Sequence, residues 1–225
     1  MKAIVDMSFN DELNAIYDVT TGGRCYYLSV RLLIYPLSTR LVYFSNRLKL
    51  HPNHLSMICA FFSVVCLYAL FIGNYLNAFI FYYTRVVFDY ADGALARYSR
   101  KTSPMGKVLE RIIDEPFFLL TWILLAWHMH SMALRIYFLC SVLLYRYIVD
   151  LYIEPKFPLL ARRAPVKKFF LDRGIVIGCG VFGVMEFWTI LILACGLAPL
   201  ILVPTILCNM DLMYRFYEIE RYRTR

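Results

Sequence analysis

Charge is scarce in this chain. Of 225 residues only 18% are Asp, Glu, Lys or Arg, whereas 60% are hydrophobic, which excludes a disordered polar chain and leaves little surface for an ordinary soluble domain. Metal-type cysteine spacing is missing as well. The seven cysteines, at 25, 59, 66, 140, 179, 195 and 208, contain no CxxC pair, and inside apolar runs such residues act as small hydrophobes. Residues 1–23 carry Asp6, Asp11, Glu12 and Asp18 without a long apolar stretch, so they lack the features of a signal peptide and are expected to form a cytoplasmic N-terminal extension. Their acidity suits folding over a basic loop. No internal repeat is present.

What remains is membrane composition. A bilayer core about 30 Å thick takes roughly 20 apolar residues per helix, and six spans are expected at about 53–73, 76–98, 106–128, 131–152, 175–195 and 197–217. Gly73-Asn74, Gly106 and Cys195-Gly196 supply breaks between them. The second and third carry charge at their facing ends, so hydropathy alone undercounts them. Residues 24–50 interrupt their apolar residues with Arg31, Arg40 and Arg47 and suit an amphipathic helix lying on the membrane, bent at Pro36, or one packed on the bundle. The predicted class is therefore all-α integral membrane: the extension 1–23, an interfacial helix over 24–50, and a six-helix domain over 51–225.

Basic residues set the orientation. Of 24 Lys and Arg, 21 fall in the N-terminal part to Lys49, in 97–111, in 154–174 and from Arg215 onward. The positive-inside rule then places both termini, and the connection between spans two and three, in the cytoplasm. The same rule assigns the formal charge of +8 to loops and lipid headgroups; no nucleic acid partner is expected.

That cytoplasmic connection is where the chemistry gathers. Asp89, Asp92, Gly93 and Ala96 share one arc of a helix, and Gly106, Glu110 and Asp114 recur at every fourth residue on the next. Four acids at one end of two adjacent membrane helices repel one another unless a cation neutralises them. Hard oxygen ligands suit Mg²⁺ or Mn²⁺, while Arg97, Arg100 and Lys101 stand where phosphates can sit. The alternative is a salt-bridged helix end, with Arg97, Lys107 and Arg111 as partners.

The run Asp89-x2-Asp92-Gly93-x2-Ala96-Arg97-x8-Gly106-x3-Glu110-x3-Asp114 resembles the signature of the CDP-alcohol phosphotransferases, D-x2-D-G-x2-A-R-x8-G-x3-D-x3-D, at seven of its eight fixed positions. Pro52-Asn53 resembles the pair that opens the family's first span. The resemblance, over roughly residues 24–217, implies a homodimeric membrane enzyme that transfers a substituted phosphoryl group from a CDP-alcohol donor to an alcohol acceptor and releases CMP. It implies metal ligation by Asp89, Asp92, Glu110 and Asp114, general-base catalysis by Asp114, and nucleotide contact by Asn53, Gly93, Ala96, Arg97 and Gly106. Glu110 departs from the pattern, and its extra methylene requires the backbone to stand farther from a Mg²⁺ held at about 2.0–2.1 Å. CDP-diacylglycerol is the expected donor in phospholipid synthesis, with a soluble CDP-alcohol donor and lipid acceptor as the alternative. A small cation transporter or a silent scaffold would use the same acids otherwise.

Several further polar residues lie in or near spans. Arg85, one turn before Asp89, is expected to pair with it. Arg146 either pairs with Asp150 or holds an acceptor phosphate, and Arg173, with Lys167 and Lys168, faces an acidic acceptor or anionic lipid. Glu186, Asn209 and Asp211 are too polar to face lipid and should turn into the bundle. His51, His54, His128 and His130 are read as residues of span ends, not metal ligands.

Overall fold

The computed structural model describes residues 9–21, 29–102, 104–149, 169, 172–173 and 184–223, without the side chains of 20–21, 104–107, 109–110, 184–185 and 222–223. Every regular element among them is helical: α1 Phe9–Thr21, α2 Tyr35–Arg47, α3 Pro52–Phe71, α4 Tyr75–Tyr98, α5 Pro104–Trp127, α6 Met132–Ile148, α7 Val184–Cys195 and α8 Leu202–Arg223. Helices α3 to α8 stand where the six apolar segments were expected. By length and composition, one helix among the described residues, α3, suffices to cross a membrane, with a mean hydropathy of 2.1; α4, α5 and α8 have the length but carry charge. Most of the basic connection 154–174, with Lys167, Lys168 and also Asp150, lies outside the described residues.

Helices α3 and α4 form an antiparallel pair whose contact is lined by small side chains. Cys59, Ser63, Cys66 and Ala69 are buried on α3, as are Ala78, Ala91 and Ala94 on α4. Residues of this size let helix backbones approach closely, and two thiols donate weakly across the gap, Cys59 Sγ to the Arg85 carbonyl at 3.7 Å and Cys66 Sγ to that of Ala78 at 3.5 Å. The other face of α3 is the reverse in character. Met57, Phe61, Val64, Tyr68 and Phe71 recur at helical spacing and are each 64% exposed or more, an outward apolar stripe.

The segment before α3 both packs on the bundle and keeps an apolar outer row. Its first turn, Val30–Ile34, is π-helical, with the Tyr35 N–H reaching back to the Val30 carbonyl. Pro36 follows directly and has no N–H to continue the ladder, so the expected bend is a local widening at the start of α2. Ile34, Tyr35, Ser38, Thr39, Val42 and Ser45 are buried, with α2 against α4 and α1, while Leu32, Leu33, Leu37, Phe44 and Leu48 are exposed. Part of the N-terminal extension is itself a docked helix: Ile16 on α1 is fully buried among Val42, Leu55, Ala91, Ala94 and Leu95. Its Glu12 accepts a hydrogen bond from Arg47 Nη2 at 2.9 Å, so this acid meets α2.

Four helices end in one motif, with the two last backbone donors turned back on the final turn around a left-handed residue. Gly73 (φ 74°) and Gly196 (φ 66°) close α3 and α7; Lys49 (φ 55°) and Arg100 (φ 56°) close α2 and α4. At α4 the Lys101 N–H bonds the Ala96 carbonyl at 2.9 Å and the Arg100 N–H that of Arg97 at 3.2 Å. His51 caps α3, its ring accepting from the Asn53 N–H while the His54 ring accepts from the His51 N–H, both at 3.3 Å. His128 Nε2 bonds the Leu70 carbonyl at 2.8 Å. Lys49 is exposed and its left-handed backbone disfavours any L side chain. Lys49→Gly is therefore expected to stabilise the fold by about 1 kcal/mol, read as a rise in detergent-solubilised melting temperature.

Candidate functional site

Asp89 and Asp114 come level because their helices run in opposite directions. Asp89 stands 14 residues into α4, about 21 Å along its axis, and Asp114 stands 13 residues before the end of α5, about 20 Å. Between them lies Arg85, whose side chain is fully buried. Arg85 Nη1 donates to Asp89 Oδ2 at 3.3 Å and Nη2 to Asp114 Oδ1. The rings of Phe117 and Phe118 cover the guanidinium with centroids 4.7 and 5.0 Å from its carbon, an attractive placement for a cation. The expected pairing with Asp89 is present, and the second partner makes it a bridge between two helices.

One turn onward, Asp92 Oδ2 accepts a 2.6 Å hydrogen bond from Ser56 Oγ on α3. Gly93 then provides room. A methyl group at its Cα would meet Arg97 Nη1 at 3.2 Å, so the absence of a side chain lets the Arg97 guanidinium fold back along α4 over Gly93. Ala96, partly buried, accepts the closing bond of the helix end at its carbonyl. Asn53 sits in the first turn of α3, three residues before Ser56 on the same face. Gly106 lies in the first turn of α5 and Glu110 one turn later, but the Glu110 side chain lies outside the described residues.

Among the described residues, ligand atoms of Cys59, Asp89 and Asp114 all lie within 4.8 Å of one another. The cysteine is a soft donor already directed at the Arg85 carbonyl. The carboxylates are hard oxygen donors, and three aspartates against one buried guanidinium leave negative charge over; the donor set thus fits a hard divalent cation such as Mg²⁺ or Mn²⁺. Beside it, Tyr90 OH donates to the buried Glu186 Oε2 at 3.2 Å. Asn209 Nδ2 donates to Tyr137 OH at 2.8 Å, and Asp211 Oδ2 accepts from Tyr145 OH at 2.7 Å. All three polar residues turn into the bundle, as their cost in lipid requires.

The two tentative acceptor residues stand apart from this cluster. Arg146 pairs with Glu115, the neighbour of Asp114 that projects towards α6 instead of α4. The pair lines a cleft of about 580 Å³ with Pro116, Phe118, Leu119, Trp122, Leu143 and Tyr147. Arg173 donates to the Phe169 carbonyl at 3.0 Å and stacks on that ring.

Sequence comparison agrees with this geometry. Residues 49–197, two thirds of the chain, match the family described as CDP-alcohol phosphatidyltransferase. The chain belongs to that family. No curated protein matches it individually. The matched stretch contains the whole signature from Asp89 to Asp114, and with it the CDP-alcohol phosphotransferase domain that the motif announced. What the motif did not announce is Ser56, nor the Arg85–Asp114 contact. Asn53, Ser56, Cys59 and Ser63 form a small polar stripe at helical spacing on α3, and that stripe is the sequence signal for the face turned to α4.

Two substitutions test the geometry. Gly93→Ala removes a flexible residue from a helix interior and is expected to raise stability by about 0.5–1 kcal/mol, while pushing Arg97 aside by a few tenths of an ångström and lowering CDP-alcohol turnover severalfold. Ser56→Ala removes a charge-assisted bond, so a loss of about 1.5–3 kcal/mol is expected. Thermal melts and turnover of each variant check both.

Proposed function

We propose that this protein is a multi-pass, homodimeric membrane phosphotransferase that moves a phosphatidyl group from CDP-diacylglycerol to an alcohol acceptor, with its six spans, both termini in the cytoplasm and its site open to that side. The observation that carries the reading is the level meeting of Asp89 and Asp114 from antiparallel helices, with Asp92 and Arg97 one and two turns towards the basic end. The outward apolar stripe of α3, in a helix only 33% buried over its apolar window, supports a lipid surround, since a soluble protein would bury such a row.

In this reading the acceptor hydroxyl attacks the phosphorus that bears the diacylglycerol. The new P–O bond forms as the bond to CMP breaks, CMP leaves, and the hydroxyl proton passes to Asp114. Asp89, Asp92, Glu110 and Asp114 would hold the divalent metal, which when bound offsets charge on the diphosphate and the leaving group. Arg97, folded along α4 over Gly93, is assigned to a donor phosphate, with Asn53, Ala96 and Gly106 shaping the nucleotide side. Ser56 holds Asp92 in place. On the acceptor side Arg146 can exchange Glu115 for a phosphate, and Arg173 supplies a second cation at the loop.

Purified protein in liposomes, given CDP-diacylglycerol, pooled alcohols and either Mg²⁺ or Mn²⁺, is expected to release CMP. Asp114→Asn should lower that rate by about 10²–10⁴. Release only from a water-soluble CDP-alcohol with a lipid acceptor would reassign the donor, and no release from any donor with either metal would sink the proposal.

A further inference from the structure

Among the described residues Arg85 is one of the largest fully buried side chains, and it stands among the acids assigned above to a metal. Around its guanidinium stand a carboxylate from α4, a carboxylate from α5 and two phenylalanine faces; Cys59 holds the Arg85 backbone carbonyl, and among the described residues the buried Nε of Arg85 has no hydrogen-bond partner. Asp89 and Asp114 would repel each other across that gap, and a divalent cation is one way to hold them. The chain has supplied another.

We propose that Arg85 is a built-in counter-ion that assembles the Asp89–Asp114 pair before any metal arrives and competes with the divalent cation for those carboxylates. The inference rests on reading the acids as a metal site. Charge and position argue for it together. One oxygen of each carboxylate is engaged by the guanidinium, and a positive charge a few ångströms from a bound cation weakens that cation's hold in a low-dielectric interior. A guanidinium confined by two rings and two acids cannot swing away to relieve the conflict. The metal is then held loosely, in the presence of donor phosphates that add ligands, and the empty site does not fly apart. A merely structural arginine makes the opposite prediction: without it the acids lose their register, and metal binding weakens.

Mn²⁺ titration of the full-length protein in detergent, followed by electron paramagnetic resonance without any donor, separates the two. Arg85→Met keeps volume and removes charge; it is expected to bind Mn²⁺ tighter by about tenfold or more, with a lower metal-free melting temperature that Mn²⁺ restores further than in the wild type. Arg85→Lys keeps one charge on a group that cannot bridge both acids, and should tighten binding to a smaller extent; it decides the question if the methionine variant does not fold. Unchanged or weaker Mn²⁺ binding in a folded Arg85 variant overturns the proposal. Absence of any Mn²⁺ binding that Asp89→Asn abolishes, in wild type and variants alike, instead overturns the metal site beneath it.

Discussion

A guanidinium cut off from water has to be neutralised where it stands, and for Arg85 that requirement dictates the geometry around it. Ten residues into α4, about 15 Å along the axis, it lies near the middle of that helix, where an unpaired cation in hydrocarbon would cost several kcal/mol. Asp89 is supplied by its own helix one turn on. Asp114 must come from α5, so α5 is obliged to run antiparallel to α4 at a register that brings position 114 level with 89. The two rings that complete the shell, Phe117 and Phe118, follow Asp114 on α5, and a shift of one residue in α5 would lose the carboxylate and the rings together. Between the acid and the rings lies Pro116, which leaves the Ile112 carbonyl without its helical donor and loosens α5 at the level of the site.

The third wall depends on side chains that are nearly absent. Ser56, Cys59 and Ser63 put little bulk between α3 and α4, so the hydroxyl of Ser56 reaches Asp92 directly and the thiol of Cys59 lies within 4.8 Å of both other acids. Larger residues on this face would move α3 outward and open the cluster to its surroundings. The exposed apolar row of α3, Met57, Phe61, Val64, Tyr68 and Phe71, lies on the far side, so the same helix is a wall of the cluster inside and an apolar surface outside. The helix ends follow a related division: the left-handed closures after α3 and α7 use glycine, whereas those after α2 and α4, on the side assigned to the cytoplasm, use Lys49 and Arg100. There the backbone carries a strained cation at positions where a glycine would fold more easily, and Arg100 stands three residues beyond Arg97 at the rim of the site.

Much of this was legible from the chain because it is local. Six apolar segments, breaks at Gly73 and Gly196, the four-residue step from Arg85 to Asp89, and the spaced acids with their small neighbours are all relations within one or two turns. The family followed from them. The contacts that join helices were not legible: Arg85 to Asp114 spans 29 residues, Ser56 to Asp92 spans 36, and Arg146 to Glu115 spans 31. For Arg146 the sequence left a pairing with Asp150 and an acceptor phosphate open; Asp150 lies outside the described residues, and Glu115 on the facing helix is a partner that no local rule offered. Likewise the acidity of the N-terminal segment said nothing of Ile16, whose burial against Val42 and Leu95 docks α1. Hydropathy also reads low in α4 and α5, where Arg85, Asp89 and Asp114 bring charge into the helices to meet one another.

The direction of those inward charges bears on how donor and acceptor can approach. Asp114 and Glu115 are adjacent, about 100° apart around α5, and the structure uses that angle to send one carboxylate to α4 and the other to α6. Helix α5 thus stands between the acid cluster and the 580 Å³ cleft, and Phe118 borders both. The cleft has apolar walls from Phe118, Leu119, Trp122 and Leu143, suited to hydrocarbon, and a single ion pair at Arg146 and Glu115. In the function proposed above, a nucleotide diphosphate, being highly charged, goes with Arg97 on the cluster side. Between the cleft and Asp114 stand Pro116, where α5 lacks a hydrogen bond, and Phe118. The acid cluster and the apolar cleft therefore lie on adjoining faces of one helix, and Pro116, two residues after Asp114, stands with Phe118 where those faces meet.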